Sequence, residues 1–174
     1  MKKISISLIL IAIITLTVIA CDMPNSNSVN YLRIHIRANS NSEEDQSVKY
    51  AVKQSVVEYL TPLVSQVTDY NSAITMLEKQ KGEIEKVCNG VLKSNGFNYG
   101  CKVAVREELF PTRVYGDFTL NEGFYDALIV ELGKAKGDNW WCVVYPPLCF
   151  TGSNQIKYKS KIYEIINNFK KGEL

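Results

Sequence analysis

The sequence is poor in the residues from which most catalytic sites are built. It contains one histidine, His35, so a Ser-His-Asp or Cys-His site could form only around that residue. It has no glycine-rich phosphate-binding motif, and no group of histidines and cysteines has zinc-ligand spacing. We therefore expect no metal site, no cofactor and no enzymatic activity.

An excess of charge of one sign is also missing. The 20 basic residues include Lys2 and Lys3 at the extreme N-terminus, so 18 basic and 18 acidic residues remain in the rest of the chain. A nucleic-acid-binding protein normally carries a basic excess on one face. The composition therefore argues against a nucleic-acid partner.

The N-terminus has the composition of an export signal. Lys2 and Lys3 precede an apolar run of 17 residues from Ile4 to Ala20. That length is at the short end of what spans a bilayer, so a retained membrane anchor is the alternative to a cleaved signal. With either outcome, the rest of the chain leaves the cytoplasm.

The leader, residues 1–21, ends in Val18-Ile19-Ala20-Cys21, which resembles the lipobox of bacterial lipoproteins. In a lipobox the cysteine thiol receives the lipid, and here lipidation of Cys21 and an unmodified cysteine both remain open. Residues 22–30 are polar and typical of a tether. The remaining residues, 31–174, predict one domain of about 150 residues, long enough for a hydrophobic core.

The hydrophobic pattern predicts strands and helices in one domain. Residues 31–38 alternate, which predicts a half-buried strand with Arg33, His35 and Arg37 on its solvated face. A helix should follow from Ser42 to about Leu60, capped by Ser42 and ended by Pro62. A second helix is predicted over residues 71–94, with a left-handed stop at Asn95-Gly96.

The second half of the chain predicts mainly strands. They cover residues 99–106, 125–132 and 140–145, with an irregular connection and one short strand between residues 107 and 120. A basic amphipathic helix over residues 156–171 follows. The prediction is a single α+β domain, with two N-terminal helices and a C-terminal helix packed on a mixed or antiparallel sheet.

Four cysteines follow Cys21, an even number in a compartment where disulfides persist. A chain reversal at Tyr145-Pro146 would place Cys142 opposite Cys149, so we expect a disulfide there, contributing roughly 2.5 kcal/mol on the chain-entropy model. A pair of buried reduced thiols is the alternative. Cys88 and Cys101 lie on apolar faces, and a second bridge between them is a further expectation.

Several segments together resemble the stage II sporulation protein R family of endospore-forming bacteria. They lie between residues 31 and 150 and comprise Arg33 to Gln46, with Arg37-Ala38-Asn39-Ser40-Asn41-Ser42 at its centre; Pro111 to Gly116; Leu120 with Gly123, Tyr125, Ala127 and Leu128; and Gly137 with Asn139-Trp140-Trp141-Cys142-Val143 and Pro146-Pro147-Leu148-Cys149. The chain departs from the family pattern at Asn121-Glu122, where the family often has Pro-Ala. The lipobox at Cys21 also goes beyond the simple signal expected of the family.

The resemblance implies an exported signalling protein, not an enzyme. Members of the family are made in the forespore and secreted into the space between the two membranes around it. There they trigger a membrane-embedded aspartic protease of the mother cell, which cleaves the precursor of an early mother-cell sigma factor. The implied partners are this protease and, through the N-terminal anchor or lipid, the secreting membrane.

Eight residues are candidates for contact with the protease, because periodicity leaves them underexplained. They are Arg37, Asn39, Ser40, Asn41, Gln46, Trp140, Trp141 and Tyr145. Turn and cap roles explain the first five equally well. Alternation places Trp140 and Trp141 on opposite faces, so we expect one of them in the core and the other exposed.

Two other classes of function remain as alternatives. One is an extracellular cell-wall hydrolase that uses Glu107 or Cys142. The other is a lipoprotein that binds a small molecule in an aromatic pocket.

Overall fold

A computed structural model describes residues 30–150 with the exception of residue 117. Two helices and six strands follow one another in the order β1 (Leu32–Arg37), α1 (Glu43–Val64), α2 (Tyr70–Ser94), β2 (Cys101–Phe110), β3 (Arg113–Tyr115), β4 (Phe118–Leu120), β5 (Gly123–Leu132) and β6 (Asn139–Tyr145). The predicted α+β class is confirmed. The leader, the tether and the helix predicted over residues 156–171 lie outside the described residues.

Four strands form a mixed sheet in the order β2-β5-β1-β6. The first strand, β1, runs parallel to β5 and antiparallel to β6, so it has a hydrogen-bonded neighbour on each side. The long strands β2 and β5 pair antiparallel over their whole length. Strands β3 and β4 form a separate two-stranded hairpin.

Both helices pack on one face of this sheet. The alternate residues Leu32, Ile34 and Ile36 of β1 are fully buried there, against the apolar stripes of α1 and α2. The opposite face, here called the second face, carries Arg33, His35 and Arg37 from β1 and the residues aligned with them in the other strands. Neither of the two described helices is apolar enough over a sufficient length to cross a bilayer.

The first helix is longer than predicted. It continues past Leu60 to Val64 with Pro62 inside it, so the predicted end was wrong. Proline at this position removes a single backbone donor near the end of the helix, where the neighbouring bonds still form. Thr61 Oγ1 donates to the Val57 carbonyl, and Ser65 N donates to the Thr61 carbonyl at 3.1 Å.

The second helix starts one residue before its predicted start, at Tyr70. The preceding Asp69 forms a capping box with Ser72. The helix ends at Ser94, and Gly96 adopts the predicted left-handed conformation, with φ of 81°.

The strands of the second half also extend beyond the predicted limits. Strand β2 continues to Phe110, and the connection predicted to be irregular contains the β3–β4 hairpin. A long β2 is possible because β5 pairs with it residue for residue, from Cys101–Leu132 to Phe110–Gly123.

The cysteines of the described residues form one disulfide and one pair of free thiols. Cys142 and Cys149 form a disulfide, with their Cα atoms 6.3 Å apart, where the chain reverses and Leu148 N donates to the Val143 carbonyl. Cys88 and Cys101 are both buried and both free, so the second bridge is not formed in this structure. The neighbouring Cys101 thiol, and then burial, raise the pKa of Cys88.

The fold predicts opposite effects of alanine at two glycines. A Cβ at Gly137 would overlap the backbone carbonyl of Ser40, whereas a Cβ at Gly82, inside α2, would meet nothing within 4 Å. We expect Gly137→Ala to lower the free energy of unfolding by about 1–3 kcal/mol, and Gly82→Ala to raise it by about 0.5–1 kcal/mol. Urea denaturation of the three proteins measures both changes, and equal stability of Gly137→Ala and wild type would contradict the close approach.

Candidate functional site

The residues after β1 converge on the buried carboxylate of Asp45 in the first turn of α1. Asp45 is 5% exposed and accepts hydrogen bonds from Asn39 Nδ2 at 2.8 Å, Ser40 Oγ at 2.5 Å and Tyr99 OH at 2.5 Å. Burial alone would raise the pKa of Asp45, but the hydrogen bonds from Ser40, Tyr99 and Asn39 outweigh it and lower that pKa. The charged carboxylate therefore holds the β1–α1 loop in place.

A second set of hydrogen bonds joins the same loop to the loop between β5 and β6. Gln46 Nε2 donates to the Ser40 carbonyl at 2.8 Å, and Asn41 Oδ1 accepts from Asp138 N at 2.6 Å. Lys49, only 2% exposed, donates to Gln46 Oε1 at 2.5 Å and to the Asp138 carbonyl at 3.2 Å. Together with the bonds to Asp45, these contacts form what we call the Asp45 junction.

The Asp45 junction supplies a structural role for four of the eight candidate contact residues. Asn39, Ser40 and Gln46 are partly buried and use their side chains or carbonyls within the junction, and the exposed Asn41 does the same with Asp138. The turn and cap interpretation of these residues accounts for the geometry. Arg37 lies elsewhere, on the second face of the sheet.

The second face carries an ion-pair network at the end of β1. Arg37 forms ion pairs with Glu108 and, at 3.0 Å, with Glu131. Arg106 on β2 also contacts both carboxylates, at 3.4 Å and 3.0 Å. Two arginines therefore share two glutamates, and their charges are matched within the network.

His35 lies next to this network and is 3% exposed. Its ring stacks on Trp141 with centroids 5.3 Å apart, and its Nδ1 lies 3.2 Å from Glu108 Oε1. Burial, and then the positive charge of Arg37, lower the pKa of His35 despite Glu108. Because a carboxylate only accepts, the neutral tautomer that bonds to Glu108 carries its proton on Nδ1 and leaves Nε2 as an acceptor.

Arg33 is completely buried on the same face. Its guanidinium carbon lies 4.2 Å from the centre of the Phe110 ring and 4.9 Å from that of Tyr125, and its Nη2 donates to Tyr115 OH at 2.9 Å. Neither Nε nor Nη1 has a hydrogen-bond partner. Within residues 30–150 that the structure describes, no carboxylate forms an ion pair with Arg33.

The prediction that Arg33 and His35 lie on a solvated face was therefore wrong. As an interior strand, β1 has neighbours on both edges, and Phe110, Tyr125 and Trp141 bring aromatic rings to its polar side. Period-two alternation alone predicts one wet face. A signal that could have corrected the prediction is the aromatic residue at a matching alternate position in each of β2, β5 and β6.

The side chains of the β3–β4 hairpin contact Arg33 and Trp141 on the second face. Tyr115 bonds to Arg33, and the guanidinium of Arg113 lies 4.0 Å from the centre of the Trp141 ring. At the other end, Phe118 contacts Tyr31 with ring centroids 5.3 Å apart. The backbone of β3 pairs with that of β4, and among the described residues neither strand pairs with the four-stranded sheet.

The three aromatic contact candidates are placed differently from expectation. Trp140 and Trp141 do lie on opposite faces, but both are half-buried, so the expectation of one core and one exposed tryptophan was wrong. Trp140 packs on the helical side with Lys53 Nζ 5.6 Å from its ring centre. Tyr145 is 7% exposed and donates to the Thr68 carbonyl at 3.2 Å, which makes it a packing residue.

A separate cleft of about 580 Å³ contains Glu107, one of the alternative catalytic residues. Glu107 pairs in register with Asp126, which accepts a hydrogen bond from Tyr70 OH at 2.6 Å. Burial, followed by Asp126, raises the pKa of Tyr70. The other alternative, Cys142, is fully buried and bonded to Cys149, so it offers no thiolate nucleophile in this state.

Comparisons with known proteins agree on one family. The family model described as Stage II sporulation protein R matches residues 28–155. The Stage II sporulation protein R of Bacillus subtilis (strain 168) is 34% identical over 119 residues, which are 68% of this chain and 53% of that protein. The chain therefore spans about half the length of this curated relative. No solved structure matches.

The Asp45 junction predicts a pH-dependent loss of stability in Asp45→Asn. At pH 7 we expect the free energy of unfolding to fall by about 1–3 kcal/mol, because an amide in place of the carboxylate leaves buried donors unpaired. The pKa of Asp45 is lower in the folded state, so its contribution is fully present above the unfolded pKa of about 4 and is lost as the pH falls through the folded pKa.

Urea denaturation between pH 7 and pH 3 measures this difference. The stability gap between wild type and Asp45→Asn should narrow below about pH 4. Glu44→Gln, in the same helical turn but exposed, is the matched control and should show little gap at any pH. A gap for Asp45→Asn that stays constant across the range would count against a charged Asp45 in the fold.

Proposed function

Because the chain belongs to the stage II sporulation protein R family, we propose that it is an exported intercompartmental signal in endospore formation. In this proposal it is made in the forespore and secreted into the space between the two membranes. There it activates a membrane-embedded aspartic protease of the mother cell, which cleaves the precursor of the early mother-cell sigma factor. The match to the family model over residues 28–155 carries the proposal.

The N-terminal sequence supports an exported location. The basic start and the apolar run from Ile4 to Ala20 are typical of a leader that directs a chain across a membrane. A lipid on Cys21 would keep the domain at the secreting membrane, and residues 22–30 would let it reach across a narrow gap. Such a tether restricts the signal to short distances.

Activation requires that the signal bind the active arrangement of the protease more tightly than the inactive one. The second face suits this role, because a four-stranded sheet and two helices hold its charged and aromatic side chains in defined positions. Arg37 and Arg106 have side chains 27% and 44% exposed and combine charge with accessibility. Arg113 stacks on Trp141 at the same face. Arginine and tryptophan are enriched among residues that dominate binding energy.

The cleft around Glu107 and Asp126 is the observation that favours the alternative of a cell-wall hydrolase, since two carboxylates facing one cleft could divide acid and base roles. Purified protein on wall material tests it, with Glu107→Gln and Cys142→Ser as variants. Turnover that either change abolishes would replace the signalling proposal. The alternative of a small-molecule-binding lipoprotein predicts a ligand-induced rise in melting temperature.

The signalling proposal predicts export-dependent cleavage in a reconstituted system. The chain, the candidate membrane protease and the sigma precursor are co-expressed in a non-sporulating host, with immunoblotting for the cleaved precursor. We expect cleavage with the full chain and none with a variant that lacks residues 2–20 and remains inside the cell. Cleavage of equal extent with the variant that is not exported would refute the proposal.

The same assay tests the second face with a matched pair of variants. Arg113→Ala and Lys53→Ala each remove a cation from one of the two tryptophan rings, on opposite faces of the sheet. We expect Arg113→Ala to reduce cleavage at least tenfold, equivalent to about 1.4 kcal/mol of binding, and Lys53→Ala to leave it within twofold. The reverse ranking would place the contact on the helical side.

A further inference from the structure

Unlike Arg37 and Arg106, the other arginines on the strands of the second face, Arg33 has no ion pair with any carboxylate of the described residues. Arg37 and Arg106 share Glu108 and Glu131. Arg33 is more deeply buried than either, yet its polar contacts in the described part of the chain are one phenol and two aromatic rings. A buried charge without a counter-ion is unfavourable, and such charges in proteins are normally paired.

The unpartnered atoms of Arg33 specify the chemistry of a missing partner. A guanidinium presents N–H donors in a rigid plane and accepts nothing, so Nε and Nη1 require acceptors. Phe110 and Tyr125 contact the guanidinium through their rings, which leaves these donors unsatisfied. A carboxylate matches the planar guanidinium in shape and supplies the missing charge.

We propose that Arg33 binds a carboxylate of the protease that this chain activates, an Asp or Glu side chain within an extended segment. The inference rests on the function proposed above, because it takes the protease as the source of the carboxylate. The inference adds to that function the chemical class of the group that is bound, a carboxylate, and the residue that binds it, Arg33. Arg37 is a poorer receptor, since Glu108 and Glu131 already satisfy it and repel a further acid.

His35 supports an extended segment as the occupant. It lies two residues from Arg33 on the same face, roughly 7 Å away along a strand. His35 is 3% exposed, and its Nε2 has no hydrogen-bond partner. In the tautomer that donates from Nδ1 to Glu108, this nitrogen requires a donor. An extended peptide presents a carboxylate on a side chain and a backbone N–H at comparable spacing, which satisfies both Arg33 and His35.

The β3–β4 hairpin provides the route by which such a segment reaches Arg33. Its described contacts with the second face are made by side chains, Tyr115 on Arg33 and Arg113 on Trp141. Displacing it therefore breaks no backbone ladder of the four-stranded sheet. The incoming carboxylate replaces the Tyr115 hydroxyl on Nη2 and also accepts from Nε, one of the two unpartnered donors of Arg33.

The test separates binding from folding by measuring the melting temperature of the full chain and precursor cleavage for the same variants. Arg33→Met keeps most of the side-chain volume and removes the uncompensated charge. We expect its melting temperature to equal or exceed that of wild type, while cleavage falls at least tenfold. Tyr115→Phe, which removes only the hydrogen bond to Arg33, is the matched control and should retain cleavage within twofold.

Every other outcome rejects either the inference about Arg33 or the proposed function. A melting temperature that falls in Arg33→Met, or a failure of this variant to fold, assigns Arg33 a structural role and rejects the inference. Full cleavage with Arg33→Met, or an equal loss with Tyr115→Phe, also rejects it and leaves the proposed function intact. Absence of cleavage with the wild-type chain rejects the proposed function itself.

Discussion

The rest of the structure depends on the interior position of β1. Because β5 and β6 pair with its two edges, neither side of this strand reaches water through a free edge. Its apolar residues pack in the core against the helices. On the other face, Phe110, Trp141 and the β3–β4 hairpin cover Arg33 and His35, whereas Arg37 at the end of the strand stays partly exposed. A cation such as Arg33 is placed where only aromatic rings and a phenol meet it among the described residues.

The loop that leaves β1 shows how a polar motif acts as a structural element. Asp45 is buried at the start of α1, and hydrogen bonds to its carboxylate fix the loop, α1 and the segment before β2 relative to one another. Gly137 completes the arrangement, since its lack of a side chain lets the β5–β6 loop approach the Ser40 carbonyl. The run of Asn and Ser residues, which suggests a binding site in the sequence, thereby joins the β1–α1 loop to the β5–β6 loop.

Sequence patterns predicted elements that depend on local interactions and missed features that depend on neighbours. The caps at Ser42 and Asn95-Gly96 and the course of α2 follow from backbone preferences within a few residues. The end of α1 was misplaced because the effect of Pro62 depends on which bonds its neighbours can still make. For the candidate site, the sequence led to Arg37 and Trp141. It missed Arg33, because a buried charge that lacks a counter-ion is recognised only when the neighbours of the residue are known.

The sequence by itself determined the family, the α+β class and the order of most elements, because these follow from hydrophobic periodicity and from motifs read along the chain. Only the tertiary structure decided that β1 lies inside the sheet, that the Asn-Ser run serves Asp45, and that Arg33, His35 and Trp141 form one row beneath the hairpin. The physical reason is that strand pairing joins residues far apart in the chain. Alternation within one strand reports two faces but not what covers each of them.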